Sequence, residues 1–430
     1  MSHLPPQADS TDLIDEDDCS YQGQSCSDII RREVMRTLLT EKFLCDQMPD
    51  GQVFSRNTDD QHLLNYMPQL QQLYTSLITN DDPPVEATFV RWAQRPGVKL
   101  TKLGEQILLA CRFFAERAAE GRDWQDAYAH HQFHPVVAVM FGAIVRWGLS
   151  ICGWGDPTQA MIDSAPETLP AQALRQLVGN VRLVCRSQAF QNLLGDHERK
   201  VKENFRSGCD YITKQFEQHA SMWVLRIELY FRPDTKGWGY GSAADLAVTK
   251  YLRSLRLGRP VAGYLGFVIS RGNGIRRGMH YQLMLLLDGH EQRNTDHLTR
   301  LLGEAWIKRV GADKGSYFNG YGKKNRHRHN GVGWVHVSDT EKLMGIRIAM
   351  WRMSQQSSVL KVEDSKVKNF WRGCKVKDGG NCGARGKNGH DLDLVKRLLG
   401  GQRSQYPPGF EPPKNERAGR TAVESGAGAA

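Results

Sequence analysis

The sequence has no apolar segment long enough to cross a lipid bilayer. Its longest apolar run, residues 135–145, ends at Arg146, whereas a membrane-spanning helix needs about 20 residues. The start of the chain is acidic and has no apolar core, so it does not have the composition of a secretory signal. We therefore expect a cytoplasmic protein that has no membrane partner.

Closely spaced cysteine pairs are also missing. The chain has 9 cysteines, but they are scattered and none forms a Cys-x-x-Cys motif. Common structural zinc modules use such pairs, so a structural zinc site is not expected. Scattered thiols inside apolar stretches are typical of proteins from reducing compartments.

Acidic residues are scarce beyond the first part of the chain. The net charge is +10, yet residues 1–50 hold 11 acidic and 4 basic residues, so the remainder carries a larger positive surplus. Such a surplus favours a polyanionic partner, because binding releases counterions from the polyanion.

Residues 278–289, Gly-Met-His-Tyr-Gln-Leu-Met-Leu-Leu-Leu-Asp-Gly, have the apolar content of a central β-strand. Because successive side chains of a strand point to opposite faces, His280 and Gln282 share one face. The glycine-rich segment just before them contributes Arg276 and Arg277, which are candidates for holding a phosphate. This segment is therefore a candidate binding site.

Three segments in this order resemble a known family. They are Trp-Val-Leu-Arg-Ile-Glu-Leu-Tyr at 223–230, the His-Tyr-Gln segment with its apolar tail, and Leu-Gly-Glu-Ala-Trp at 302–306. The chain resembles the YagK/YfjJ C-terminal domain family, which is related to the inovirus replication protein and is similar to the HUH rolling-circle initiators and relaxases. The resemblance covers roughly residues 215–375.

The resemblance implies a metal-assisted reaction on single-stranded or hairpin DNA. In such enzymes a strand histidine pair, or a histidine and a glutamine, holds a divalent cation, so His280 and Gln282 become ligands of Mg²⁺ or Mn²⁺. The family often has a glutamate ligand on the preceding strand, but residues 264–271 contain no carboxylate. Glu228 is a surrogate ligand on the strand that the family places beside the metal strand, or else it forms an ion pair or an edge charge.

The resemblance also implies a tyrosine that attacks the scissile phosphate and forms a covalent intermediate. The family's Tyr-x-x-Lys falls where this sequence has Met350 and Met353. Tyr321 begins another Tyr-x-x-Lys, although the glycines around it favour a loop over a helix. Two functions therefore stay open: an initiator-like enzyme that nicks and rejoins DNA, or a noncatalytic relative that binds nucleic acid in a regulatory or mobile-element role.

The segment that contains Tyr321 is the most basic part of the chain. Aromatic residues flank its cations, and this combination suits single strands, whose bases stack while their phosphates meet positive charge. The alternative is a solvated loop that keeps the protein soluble. The candidate DNA-binding residues here are Lys323, Lys324, Arg326 and Arg328.

The fold class predicted from the pattern is α+β. We expect an acidic, disordered N-terminus at 1–27, and a mostly helical domain at 28–219 that is either a plain bundle or a site for a protein partner. An antiparallel sheet with packed helices follows at 220–375, which agrees with the ferredoxin-like core that the resemblance implies. The last segment, 376–430, has the composition of a flexible Gly/Pro/basic tail.

Overall fold

The structure, a computed structural model, describes residues 45–47, 53–55, 69–70, 72–90, 95–119, 131–144, 169–231, 242–274, 278–290, 294–319, 331–362, 368–373 and 392–400. These residues combine α-helices with antiparallel β-sheet, which confirms the predicted α+β class. Within the same ranges, no helix has both the length and the apolar composition needed to cross a membrane.

The N-terminal half combines short strands with longer helices. Its described strands include β1 (Cys45–Gln47), β2 (Val53–Ser55), β3 (Val85–Val90), β4 (Arg95–Leu100) and β5 (His131–Phe133). Its described helices include α1 (Lys102–Ala119), α2 (Pro135–Ala143), α3 (Leu169–Arg186) and α4 (Gln188–Gln218), and residues 72–79 are also helical. The sequence predicted helices here, but it did not predict the β3–β4 hairpin. Strands this short hold too few alternating positions to stand out from a helical background.

Helix α4 belongs to both halves of the molecule. Phe190, near its start, packs in the N-terminal core, whereas Cys209, Ile212 and Phe216 pack in the core under the sheet. Ser187 caps the helix by accepting a hydrogen bond from the backbone N–H of Phe190. The boundary predicted at residue 219 therefore coincides with the end of a helix whose second half packs on the sheet.

Three long strands form the centre of the C-terminal half. β6 (Ser221–Phe231), β7 (Tyr264–Gly274) and β8 (Gly278–Asp288) pair antiparallel, with β8 between the other two. β7 and β8 form a hairpin in which Gly274 pairs with Gly278. The residue pattern predicts strands at 224–231, where it alternates, at 261–270, and at 280–287, where it is almost continuously apolar; these lie close to the three observed strands.

Two helices connect these strands across one face of the sheet. α5 (Ser242–Arg256) joins β6 to β7, and α6 (Thr295–Val310) joins β8 to β9 (Gly315–Phe318). Since β9 pairs with β6, the order of these four strands is β9-β6-β8-β7. Each helix therefore links two parallel strands that have a third strand between them.

Two short strands extend the sheet. β10 (Gly333–His336) pairs with the first part of β6, and β9 pairs with its last part, so both lie along the same edge of β6. β12 (Phe370–Arg372) pairs with β7 at the opposite edge of the sheet. β11 (Leu360–Val362), which lies between β10 and β12 in the chain, pairs with β5 of the N-terminal half.

The two faces of the sheet are covered by different helices. On the face that we call the α5 face, Leu225 and Ile227 pack with Tyr251 of α5 and Trp306 of α6. The opposite face, called the α4 face, packs against α4, α7 (Thr340–Val359) and α8 (Asp393–Leu399). The central strand is therefore buried on both sides, as its continuous apolar sequence predicted.

Helix α8 lies in the segment that was predicted to be a flexible tail. Val395, Leu398 and Leu399 are fully buried in the α4-face core, and the Arg347 guanidinium donates to the carbonyl oxygen of Leu398 at 2.6 Å. Their spacing places all three on one side of a helix. For these residues the tail prediction is corrected: a short amphipathic helix between two glycine-rich runs was missed because composition dominated the interpretation.

Candidate metal and nucleic-acid site

The cross-strand register of β6 and β8 brings the predicted ligands together. Glu228 pairs with Gln282, and Tyr230 pairs with His280. Directly opposed residues of neighbouring strands share a face of the sheet, as do alternate residues of one strand. All four side chains therefore lie on the α4 face, at the end where β8 begins, and we call them the polar cluster.

Hydrogen bonds within the polar cluster converge on the carboxylate. The Gln282 amide nitrogen donates to one oxygen of Glu228 at 2.9 Å, and the Tyr230 hydroxyl donates to the other oxygen. The rings of Tyr230 and His280 lie with their centroids 5.8 Å apart. Glu228 and His280 are 0% exposed, so these polar groups are held in an environment where water does not compete with them.

A glycine on β7 makes room for the imidazole. Gly272 pairs with His280 across the strands, and a Cβ atom at position 272 would lie 2.5 Å from the imidazole Nε2. That separation is shorter than any ordinary contact between non-bonded heavy atoms. Gly272 is thus needed to accommodate His280 on this face.

The donor atoms suit a hard or borderline divalent cation by type. A carboxylate, an amide oxygen and an imidazole are found as ligands of Mg²⁺ and Mn²⁺. Glu228 is committed to bonds with Gln282 and Tyr230, so ion binding requires those bonds to be exchanged. Within the described ranges, no three His, Cys, Asp or Glu side chains group as a metal site, and the fit depends on the glutamine.

The tyrosine expected on the later helix is replaced by a core residue. Helix α7 is present where the sequence predicted it, and Met350 and Met353 are buried with Met284 and Leu286 in the α4-face core. Met350 also fits closely over Gly208 of α4, where a Cβ would lie 2.9 Å from the methionine sulfur. This position serves packing and offers no hydroxyl.

Tyr281 and Tyr317 lie on the other face of the sheet. Tyr281 donates its hydroxyl to Asp245 of α5 at 2.7 Å, and Asp245 also accepts from the Arg271 guanidinium at 3.1 Å. Tyr317 pairs with Leu229, which faces α5, and burial raises the pKa of its hydroxyl. Neither hydroxyl shares a face with His280.

Thiols are poor alternative nucleophiles in the described part of the chain. Cys111, Cys185 and Cys209 are all buried, and none of the three is part of a disulfide. Burial raises the pKa of Cys185 to about 11 and that of Cys209 to about 12. The thiolate is the reactive form, so these cysteines are chemically inert at neutral pH.

Several predicted site residues lie outside the described residues. They are Arg276, Arg277, Tyr321, Lys323, Lys324, Arg326 and Arg328.

The sequence interpretation missed Tyr230 as a member of the site. The sequence itself indicates its place, since Arg226, Glu228 and Tyr230 are alternate residues of β6 and therefore share a face. Glu228 was predicted and Tyr230 was not, because only residue types that bind metals were considered on this strand. A search for hydroxyls on the same face would have included Tyr230.

Comparison of the chain with models of protein families, with curated proteins and with solved structures finds no match.

Proposed function

We propose that this chain is a replication-initiator-like protein of the YagK/YfjJ type whose sheet domain binds single-stranded or hairpin DNA. The observation that carries the proposal is the polar cluster, in which Glu228, His280 and Gln282 meet on neighbouring strands. The resemblance assigns metal-ligand roles to His280 and Gln282. A cluster of this kind on central strands is consistent with those roles.

The connectivity of the sheet supports the same proposal. The order strand, helix, strand, strand, helix, strand, with spatial order β9-β6-β8-β7, fits the ferredoxin-like pattern. Both connecting helices pack on the α5 face, which leaves the polar cluster on the other face. A fold alone does not define a function, so the weight stays on the cluster.

Charges on the described helices support a polyanionic ligand. Lys250, Arg253 and Arg256 of α5 are exposed, and none of them forms an ion pair with another described residue. On α4, by contrast, Arg199 pairs with Asp196 at 2.9 Å and Lys202 pairs with Glu198 at 3.6 Å. The outer surface of α5 therefore has unneutralised positive charge, which attracts phosphates.

Mg²⁺ or Mn²⁺ is the cofactor that this proposal includes. Glu228, His280 and Gln282 would hold the ion, and the ion would neutralise charge on a phosphate. Because Glu228 and His280 are fully buried, a phosphate could approach the ion only after the groups that cover the cluster move. The chain's own groups orient the site: Tyr230 and Gln282 fix the carboxylate, and Gly272 sets the position of the imidazole.

Binding without cleavage is the form of the proposal that the geometry supports best, because Met350 fills the expected nucleophile position. One observation favours nicking and rejoining as a second candidate: the Tyr230 hydroxyl donates to Glu228. In that reaction the Tyr230 oxygen would form a bond to phosphorus as the bond to the leaving sugar oxygen breaks. The hydroxyl proton would pass to Glu228, and the leaving oxygen would take a proton from water.

Fluorescence anisotropy with labelled oligonucleotides tests the binding proposal. The full chain is expected to bind a single strand more tightly than a matched blunt duplex, with an affinity that falls as salt rises. The double variant Lys250→Glu/Arg253→Glu should weaken binding. Arg199→Glu, which changes a cation already paired on α4, is the control and should have a smaller effect. No binding by the wild-type chain would reject the proposal.

A covalent-adduct assay separates the two candidates. Incubation with labelled single strands and Mn²⁺ should give a retarded complex that denaturant dissociates. A band that survives denaturant and disappears in Tyr230→Phe, but not in the control Tyr281→Phe, would instead establish strand transfer by Tyr230. Tyr281 is a suitable control because it is adjacent to His280 and lies on the other face.

A further inference from the structure

Trp334 is a large aromatic side chain on an edge strand of the sheet. It lies in β10, which pairs only with β6 among the described strands, and it is 42% exposed. Trp306, in contrast, is fully buried in the α5-face core. An exposed indole of this size marks a surface where apolar area stays in contact with water unless a partner covers it.

The indole is held in one orientation by two contacts, and a third contact holds the backbone of Trp334. Its Nε1–H donates to the carbonyl oxygen of Gly289 at 3.1 Å. Its ring stacks on the imidazole of His336, with centroids 5.8 Å apart and planes inclined by 21°. The Lys342 ammonium donates to the Trp334 carbonyl oxygen at 2.6 Å. A ring fixed in advance loses little conformational freedom when a ligand binds.

The surroundings of the ring favour a flat, polar ligand. Trp334 and His336 are alternate residues of β10, so their stacked rings lie on one face of the edge strand, the α5 face that Trp334 shares with its partner Trp223. Lys342 places a positive charge beside the backbone of that surface. An aromatic ring fixed in this way matches the flat face of a nucleobase.

We propose that Trp334 and His336 form a stacking platform for an unpaired base of a single-stranded nucleic acid. The platform rests on the proposed function, and it adds a contact that reads the base face and is independent of the polar cluster. The platform lies where β6 begins, whereas the polar cluster lies toward the end of β6. Trp334 pairs with Trp223, whose side chain faces α5, so the platform and the polar cluster lie on opposite faces of the sheet and would contact separate parts of a bound strand.

Acidic groups near the platform limit its role to stacking. Asp339 bonds to the backbone N–H of Lys342 and Asp288 bonds to that of His290, so carboxylates lie close to this end of the sheet. Phosphate attraction is consequently weak here. The platform should contribute affinity without adding to the dependence of affinity on salt.

The test is a cycle in which both the protein and the probe are changed. Wild type and Trp334→Ala are titrated with a labelled thymidine oligonucleotide and with the same length of abasic oligonucleotide, which keeps the phosphates and removes the bases. We expect Trp334→Ala to weaken thymidine binding roughly tenfold and to leave abasic binding unchanged. Trp334→Phe, which keeps a ring, should retain most of the affinity.

Leu183→Ala is the matched control, since Leu183 is another exposed large apolar side chain and lies on α3 in the N-terminal half. Equal binding of thymidine probe by wild type and Trp334→Ala would overturn the platform and leave the proposed function intact. An equal loss for both probes would also overturn it, because a general structural effect does not distinguish bases. Failure of the wild-type chain to bind either probe would reject the proposed function itself. Replacing thymidine with uridine probes whether the sugar matters, and a similar loss with both sugars would support base stacking.

Discussion

Two polar groups of residues lie at the same end of the sheet, on opposite faces, and they are built differently. On the α5 face, Arg271 of β7 bonds to Asp245 of α5 and to Asn369, and Tyr281 of β8 bonds to the same aspartate. This group, called the linking network, connects several separate elements through an ion pair. Its role in holding the fold together follows from its connections.

The polar cluster on the α4 face contains hydrogen bonds between residues that are close neighbours in the sheet. The hydrogen bonds to Glu228 come from Tyr230 on its own strand and Gln282 on the adjacent strand. Those strands are already joined by their backbone ladder. Burying a carboxylate is unfavourable unless it is compensated, and these two hydrogen bonds supply part of that compensation.

The largest predicted effect concerns the linking network. Arg271→Met should lower the free energy of unfolding by about 3–5 kcal/mol, because it leaves Asp245 without its buried cationic partner. Urea unfolding measures the change. The double variant Arg271→Met/Asp245→Asn should recover part of the lost stability, since the uncompensated carboxylate charge is then removed. A loss below about 1 kcal/mol for Arg271→Met would contradict the structural role.

His134, which lies outside both groups, should make the free energy of unfolding depend on pH. The pKa of His134 is lowered to about 4, chiefly by burial and also by His197, and its Nδ1 accepts from the backbone N–H of Val136 at the start of α2. The folded state favours the neutral ring, so the stabilisation that His134 contributes to folding is fully present above pH 6.5. As pH falls from 6.5 toward 4, the unfolded state takes up the proton first, and up to about 3 kcal/mol is lost.

Urea unfolding at several pH values checks this expectation. The variant His134→Gln keeps a polar side chain and should show a weaker fall in stability between pH 6.5 and 4. An identical pH dependence in both proteins would show that other groups cause it. The comparison also separates acid effects on the N-terminal half from effects on the sheet.

A smaller change is expected at Gly272. Gly272→Ala should destabilise the protein by about 1–3 kcal/mol, because the new Cβ would lie 2.5 Å from the His280 imidazole. It should also weaken metal-dependent DNA binding by displacing the ring. Gly179→Ala is the control: it has no atom within 4 Å of the added Cβ and lies inside α3, so it should stabilise the helix by up to about 1 kcal/mol. Equal effects at both sites would contradict the close fit.

The smallest change in stability is expected at the carboxylate itself. Glu228→Gln keeps the shape and removes a buried charge, so the free energy of unfolding should stay within about 1 kcal/mol of the wild-type value or rise. Urea unfolding of the two proteins provides the measurement. A loss of several kcal/mol would show that Glu228 is a structural residue like Arg271, and the contrast between the two groups would disappear.

Much of the sheet could be predicted because the signals are local. The residue pattern predicts a strand at 280–287 and helices at 296–310 and 339–360, each within a few residues of the observed β8, α6 and α7. That His280 and Gln282 share a face follows directly from strand geometry. The proximity of Glu228 to Gln282 is different, because it depends on which strands pair, and the sequence supplied that only through the resemblance.

The parts that escaped prediction depend on contacts between distant segments. β8 is apolar on both faces, so its pattern does not indicate which helices cover His280. The place of Tyr230 in the cluster depends on the register of β6 against β8, and a shift by one residue would have moved it to the other face. Helix α8 is short, and its position is set by packing against α4 and α7.

The most direct test of the central claim is the metal dependence of single-strand binding. Wild type, Glu228→Gln, His280→Asn and the opposite-face control Tyr281→Phe are titrated with a labelled single strand in Mn²⁺ and in chelator. The account predicts that Mn²⁺ strengthens binding by wild type and Tyr281→Phe and has no effect on Glu228→Gln or His280→Asn. Folded cluster variants that respond to Mn²⁺ as fully as wild type would contradict it.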